Sequence, residues 1–117
     1  MSSPQDVQDW IAKTVATNDV VLFMKGRKGM PQCGFSQRVD HILSLLGVDY
    51  KDVNVLDNMA VREGIKSFSN WPTIPQLYIK GEFVGGCDII TEMYEAQELQ
   101  EMLAEKGVKS NSGSAIA

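Results

Sequence analysis

At 117 residues, with 44% hydrophobic and 22% charged residues, the chain reads as one globular domain of ordinary core size. A net charge of -4 argues against nonspecific nucleic-acid binding, and the longest apolar run, Val20 to Met24, is far too short to span a membrane. Two cysteines, Cys33 and Cys87, and one histidine, His41, are too few for a closed four-ligand zinc site within one chain. Met1-Ser2-Ser3-Pro4 carries neither a secretory core nor an Arg-rich presequence. The expected location is the cytoplasm, or an organellar matrix if a presequence has been removed.

Ser3 is the expected cap of a first helix, with Pro4 in its first turn and Val7, Trp10, Ile11 and Val15 at helical spacing. Thr17-Asn18-Asp19 breaks that pattern. Val20 to Met24 then forms a strand with no polar alternation, as a strand covered on both faces would. Lys25 to Gln32 reads as a loop holding Gly26, Gly29 and Pro31. A second helix runs to about Leu46, with Phe35, Val39, Ile42, Leu43 and Leu46 on one face and Gly47 as its stop. Tyr50 to Val55 is a second strand. Asp57 is the expected cap of a third helix, with Val61, Ile65 and Phe68 inward. Asn70 to Pro75 is a turn-rich link. Gln76 to Ile79 and Glu82 to Gly85 form a hairpin around Lys80-Gly81. Asp88 is the expected cap of a final helical region through Ile89, Ile90, Met93, Leu99, Met102 and Leu103, ending at Gly107. Residues 1–109 make the domain, and the small, polar stretch 110–117 is expected to be a disordered tail.

The βαβ unit requires a right-handed crossover, so the first two strands are parallel, and the hairpin adds antiparallel strands beyond the first. The expected fold is α/β and thioredoxin-like, a four-stranded mixed sheet with helices on both faces.

Cys33-Gly34-Phe35-Ser36 is the most informative stretch. A cysteine at a helix start faces free N–H groups and the positive end of the helix dipole, both of which favour a thiolate. Residue 36 is serine, so the Cys-x-x-Cys redox pair is missing and a second thiol has to come from another molecule. Four segments in order and spacing, Lys25-Gly26, Cys33 to Ser36, Trp71 to Gln76 and Gly85 to Asp88, resemble the single-domain monothiol glutaredoxins of the CGFS type. The resemblance runs from about Val7 to Gly107.

It implies glutathione binding and a [2Fe-2S] cluster bridging two subunits, each giving one cysteine beside one glutathione thiolate. Cys33 would be both the catalytic thiol and the cluster ligand. A cluster needs four thiolates, so one per chain makes a homodimer with two glutathiones the completing assembly. The implied role is iron–sulfur cluster transfer and iron homeostasis, with BolA-like proteins and apo iron–sulfur proteins as partners. Lys25, Arg62 and Lys66 are the implied cations for glutathione's carboxylates, and Arg62 and Lys66 share one helix face. The Ile74-Pro75 bond is expected to be cis, with Thr73 and Ile74 binding through their backbone. Gly86, Cys87 and Asp88 would receive the γ-glutamyl end at a helix N-terminus. Gly34 leaves room above the thiolate, and Phe35 shields the cluster or packs at the dimer contact. Trp71 is read equally as packing or as site, and His41 has no assigned role. A Cys33–Cys87 disulfide on oxidation stays open. The alternative function is a glutathione-dependent thiol-disulfide oxidoreductase working through Cys33 alone. A plain adaptor for a BolA-like partner is the third reading.

Overall fold

A computed structural model of the chain describes residues 3–111. The first helix, α1 (Pro4–Thr17), starts as its sequence demands: the Ser3 hydroxyl accepts the Asp6 N–H at 3.1 Å, and Pro4 occupies the first turn. Strand β1 (Val20–Met24) follows. Lys25 leads into a two-stranded ribbon, β2 (Gly26–Arg27) and β3 (Met30–Pro31). Helix α2 (Gly34–Leu45), strand β4 (Lys51–Asn54), helix α3 (Met59–Ser69), strands β5 (Gln76–Ile79) and β6 (Glu82–Gly85), and helices α4 (Cys87–Glu95) and α5 (Glu98–Glu105) complete the chain.

The sheet order is β4-β1-β5-β6, with β1 parallel to β4 and antiparallel to β5, and β5 antiparallel to β6. This is the expected thioredoxin-like sheet. All of β1 is buried, and its side chains divide by parity. Val20, Leu22 and Met24 enter the core made with α2, α4 and α5, through Val39, Ile42, Leu43, Ile90, Leu99 and Leu103. Val21 and Phe23 enter the core made with α1 and α3, through Val7, Ile11, Val15, Val61 and Ile65. A strand with helices on both faces has no wet side, which is why Val20 to Met24 carries no polar residue.

The structure departs from the expected helix caps and element boundaries at four places. The cap of α3 is Asn58, not Asp57: its side-chain oxygen accepts from Ala60 N at 3.0 Å and Val61 N at 3.2 Å. Asp57 instead pairs with Arg27 at 2.9 Å. The cap of α4 is Gly86, and Asp88 sits inside the first turn. The final helical region is two helices, broken where Gln97 takes a left-handed φ of 67°. The loop after β1 is the ribbon. Gly26 makes that ribbon feasible: its φ is +101°, and a Cβ there would lie 2.6 Å from Gln32 N and 2.7 Å from Met30 O.

Asn111 N donates to Leu46 O, which docks this end of the chain beside α2. The rest of the expected tail, 112–117, lies outside the described residues. Among the described residues, no helix is long and apolar enough to cross a membrane.

Candidate functional site

The C-terminal end of β1, the N-terminus of α2, the face of α3, the link into β5 and the N-terminus of α4 converge on one cleft of about 470 Å³. This is the edge at which open α/β sheets bind ligands. Lys25, Cys33, Phe35, Arg62, Lys66, Thr73, Ile74, Pro75, Gly86, Cys87 and Asp88 all line it. Trp71, Pro72 and Ile89 join them. Gly34, expected to leave room above the thiolate, instead faces a separate depression with Gly29, Pro31 and His41.

Cys33 is the N-cap of α2 and is partly exposed. As a neutral thiol it makes no capping hydrogen bond of ordinary geometry. Its pKa nevertheless lies below that of an ordinary thiol. Burial pushes the pKa up, but the N–H groups of Ser36 and Phe35, the Lys25 charge and the Ser36 hydroxyl together outweigh it. The lowered pKa fixes the sign of the linkage. The anionic thiol adds stability above the pKa it has in the unfolded chain, and that contribution is lost as pH falls through the folded pKa. Alkylation of Cys33 is therefore expected to inflect at lower pH than alkylation of a cysteine in an unstructured peptide.

Ser36 is the residue that sequence reasoning undervalued. It is 0% exposed, and its Oγ accepts the Lys25 backbone N–H at 3.0 Å while its N–H and hydroxyl face Cys33. One side chain thus ties the end of β1 to the first turn of α2, with the thiol between them. The spacing of three from the cap was the available signal, since that position's N–H points back at the cap side chain. Replacing Ser36 with Ala is expected to raise the pH at which Cys33 alkylation inflects. It also leaves the Lys25 N–H unpaired, costing about 1–3 kcal/mol in denaturant unfolding.

The cations differ in availability. Lys66 Nζ pairs with Glu63 Oε2 at 3.2 Å. No described carboxylate pairs with Lys25 or Arg62. The Arg62 Nε is enclosed and finds no acceptor among the described residues. An enclosed guanidinium nitrogen with no acceptor among the described residues, on a cleft wall, suits an anion by its chemistry.

The Ile74–Pro75 bond is cis. Among the described residues, the Ile74 backbone N–H and C=O enter no hydrogen bond of the ladders, turns or caps. A Cβ on Gly86 would reach to 3.3 Å of Pro75 O and 3.4 Å of the Trp71 indole nitrogen, so glycine keeps that corner open. Phe35, expected on the apolar face of α2, is instead 63% exposed at the cleft rim. Cys87 is free and half-buried against the α2–α4 core, and His41 lies outside the cleft on the exposed side of α2. No group of three or more His, Cys, Asp or Glu among the described residues is arranged to hold a metal ion.

The glutaredoxin family model matches residues 20–84, which contain β1 through most of β6. A probable monothiol glutaredoxin 2 of Rickettsia typhi is 55% identical over 83% of this chain and 87% of its own. Among solved structures, reduced apo GrxS14 of poplar is 51% identical, with a TM-score of 0.76 over 86% of this chain and 92% of that one. A buckwheat glutaredoxin–glutathione complex is 26% identical, with a TM-score of 0.78 over 89% of this chain and 93% of that one. With the fold, the lone cap cysteine and these relatives in agreement, the chain belongs to the glutaredoxin family, among its monothiol members.

Proposed function

We propose that the cleft binds glutathione and that two copies of the chain, with two glutathiones, carry a [2Fe-2S] cluster as cargo for transfer to apo proteins. The observation that carries the reading is a single activated thiol, Cys33, beside a cleft whose unpaired groups match the tripeptide. Glutathione is a γ-glutamyl-cysteinyl-glycine with two carboxylates and one ammonium. Lys25 and Arg62 are the cleft cations that pair with no carboxylate among the described residues, and they suit the glycyl carboxylate, with Lys66 close by. The open backbone of Ile74 suits the cysteinyl unit, as an added strand would pair. The first-turn N–H groups of α4, at Cys87 and Asp88, suit the γ-glutamyl carboxylate, and the Asp88 side chain suits its ammonium. The buckwheat relative with bound glutathione supports the same ligand class.

The cluster reading rests on donor count. A [2Fe-2S] cluster takes four thiolates, and Cys33, its pKa lowered at the N-terminus of α2, is the donor this chain offers in this reading. Three donors must come from outside the chain, and a second copy with two glutathiones supplies them. The exposed Phe35 ring beside Cys33 offers apolar surface for that second copy. A cluster held half by a small exchangeable thiol is easily released, which suits delivery to apo iron–sulfur proteins, directly or through a BolA-like partner.

The depressed pKa of Cys33 favours one second reading, glutathione-dependent thiol exchange. Cys33 thiolate would attack the glutathione sulfur of a mixed disulfide and release the other thiolate. A second glutathione thiolate would then attack the Cys33 mixed disulfide, giving oxidised glutathione and restoring Cys33.

Titration of the reduced protein with glutathione, followed at each backbone amide, tests the shared premise. Saturable shifts are expected at Ile74, Cys87 and Asp88. Shifts that never saturate, or that fall outside the cleft, would sink both readings.

A further inference from the structure

We propose that Gln76 is a positioning residue of the ligand cleft: its buried amide holds the Trp71–Pro75 segment so that the Ile74 backbone stays open to a ligand, and Tyr78 sets which way that amide faces. The proposal rests on the glutathione reading and adds to it a residue that does not line the cleft.

Gln76 opens β5 and is 0% exposed, so its polar side chain has no access to water. Its Nε2 donates to Trp71 O at 3.1 Å and to Thr73 O at 3.1 Å. Both amide protons are therefore spent on two carbonyls of the one segment. Its Oε1 accepts from the Tyr78 hydroxyl at 3.3 Å. A reversed amide would set an oxygen against two carbonyl oxygens and lose both bonds.

Tyr78 is well placed to prevent reversal. Its ring is held among Phe23 at 5.6 Å, Phe68 at 6.0 Å and Phe83 at 5.4 Å between centroids. Burial keeps its hydroxyl protonated, with a pKa pushed up to about 12 despite the Ser69 hydroxyl nearby.

The segment needs this support, because residues 71–75 belong to no helix or strand. Trp71 N is held by Ser69 Oγ at 3.1 Å and Lys66 O at 3.2 Å. Gln76 takes the carbonyls of residues 71 and 73. Ile74 is then presented with its own N–H and C=O unspent. A ligand that pairs with a backbone already fixed loses less freedom on binding.

Two variants and one property of the unaltered protein test this. Gln76→Met keeps the volume and removes both donors, and Tyr78→Phe removes only the orienting hydroxyl. Glutathione affinity, read by the same amide titration, is expected to fall about tenfold or more in Gln76→Met, and less in Tyr78→Phe. The pH at which Cys33 alkylation inflects is expected to stay put in both, because neither residue touches the groups that set it; a general loosening of the fold would move it. In the unaltered protein the Gln76 side-chain NH₂ is expected to exchange with solvent far more slowly than a free amide.

Unaltered affinity in both variants, or free exchange of that NH₂, would overturn the proposal while leaving glutathione binding intact. Failure of the unaltered protein to bind glutathione at all would remove the functional reading and this proposal together. Should Gln76→Met not fold, Tyr78→Phe and the exchange rate still decide.

Discussion

A Cys33→Ser variant is expected to be slightly more stable than the parent and functionally empty. Cys33 is a helix cap whose neutral thiol makes no ordinary capping bond, whereas serine is among the best caps. At pH below the folded pKa of Cys33, where the thiol is neutral, the thermal midpoint should therefore rise by the equivalent of about 0.5–1 kcal/mol, and the gain should shrink at higher pH, where the parent's anionic thiol stabilises the fold. Thiol exchange should fall to the background, since a serine hydroxyl without an adjacent base is not ionised at neutral pH. No coloured species should form on reconstitution with iron, sulfide and glutathione. Stability and function moving in opposite directions is the signature of a residue kept for its chemistry. A variant that unfolds, or one that still takes up a cluster, would show that Cys33 has been misread.

Phe23→Ala is expected to have the largest effect on stability. The ring is fully buried in the central strand, opposite Val53 on one side and Gln76 on the other, with an edge-on contact to Tyr78 at 5.6 Å. Emptying such a position costs about 3–5 kcal/mol through lost transfer energy and an unfilled cavity. A small domain has only about 5–15 kcal/mol in total, so the variant should sit near its unfolding transition at growth temperature. Denaturant unfolding measures this directly: an unchanged midpoint would mean that the α1–α3 side of the sheet is not the tight core described. Because Phe23 supports Tyr78, and Tyr78 orients Gln76, glutathione affinity should also weaken in whatever fraction stays folded.

The sheet was legible because its strands announce themselves by pattern. Val20 to Met24 has five apolar residues without alternation, which only a doubly covered strand can hold. Gln76 to Ile79 and Glu82 to Gly85 flank Lys80-Gly81, both with positive φ, as a tight hairpin turn needs. The helix ends were less legible. Asp57 and Asn58 are adjacent and equally good caps by type; in the fold Asn58 caps the helix while Asp57 pairs with Arg27 across the chain, a tertiary contact no local pattern shows. The ribbon from Gly26 to Pro31 has no periodicity of its own. It is anchored from outside, where Gly26 N reaches Asn54 Oδ1 at 2.9 Å and Lys28 N reaches Asp52 Oδ2 at 2.8 Å. No local pattern encodes such contacts.

The cleft was legible wherever residue type alone implies chemistry: a cap cysteine, cations on one helix face, glycines before a helix. It was not legible where an ordinary polar residue works from inside the protein. Ser36 and Gln76 look like surface residues by type, and both are fully buried. Each spends its hydrogen bonds on a backbone that carries a site residue, Lys25 in one case and the segment before Pro75 in the other. That Phe35 follows the helical spacing yet stays exposed has a similar cause. It lies in the first turn of α2, at the cleft rim, beyond the edge of the sheet that covers Val39 and Ile42.

Anaerobic reconstitution with iron and sulfide, with and without glutathione, tests the central claim most directly. The visible spectrum and the mass in solution are read together. A brown species of twice the chain mass that forms only with glutathione is the expected result. A colourless monomer in both samples, still turning over glutathione mixed disulfides, would contradict cluster carriage and leave thiol exchange as the function of Cys33.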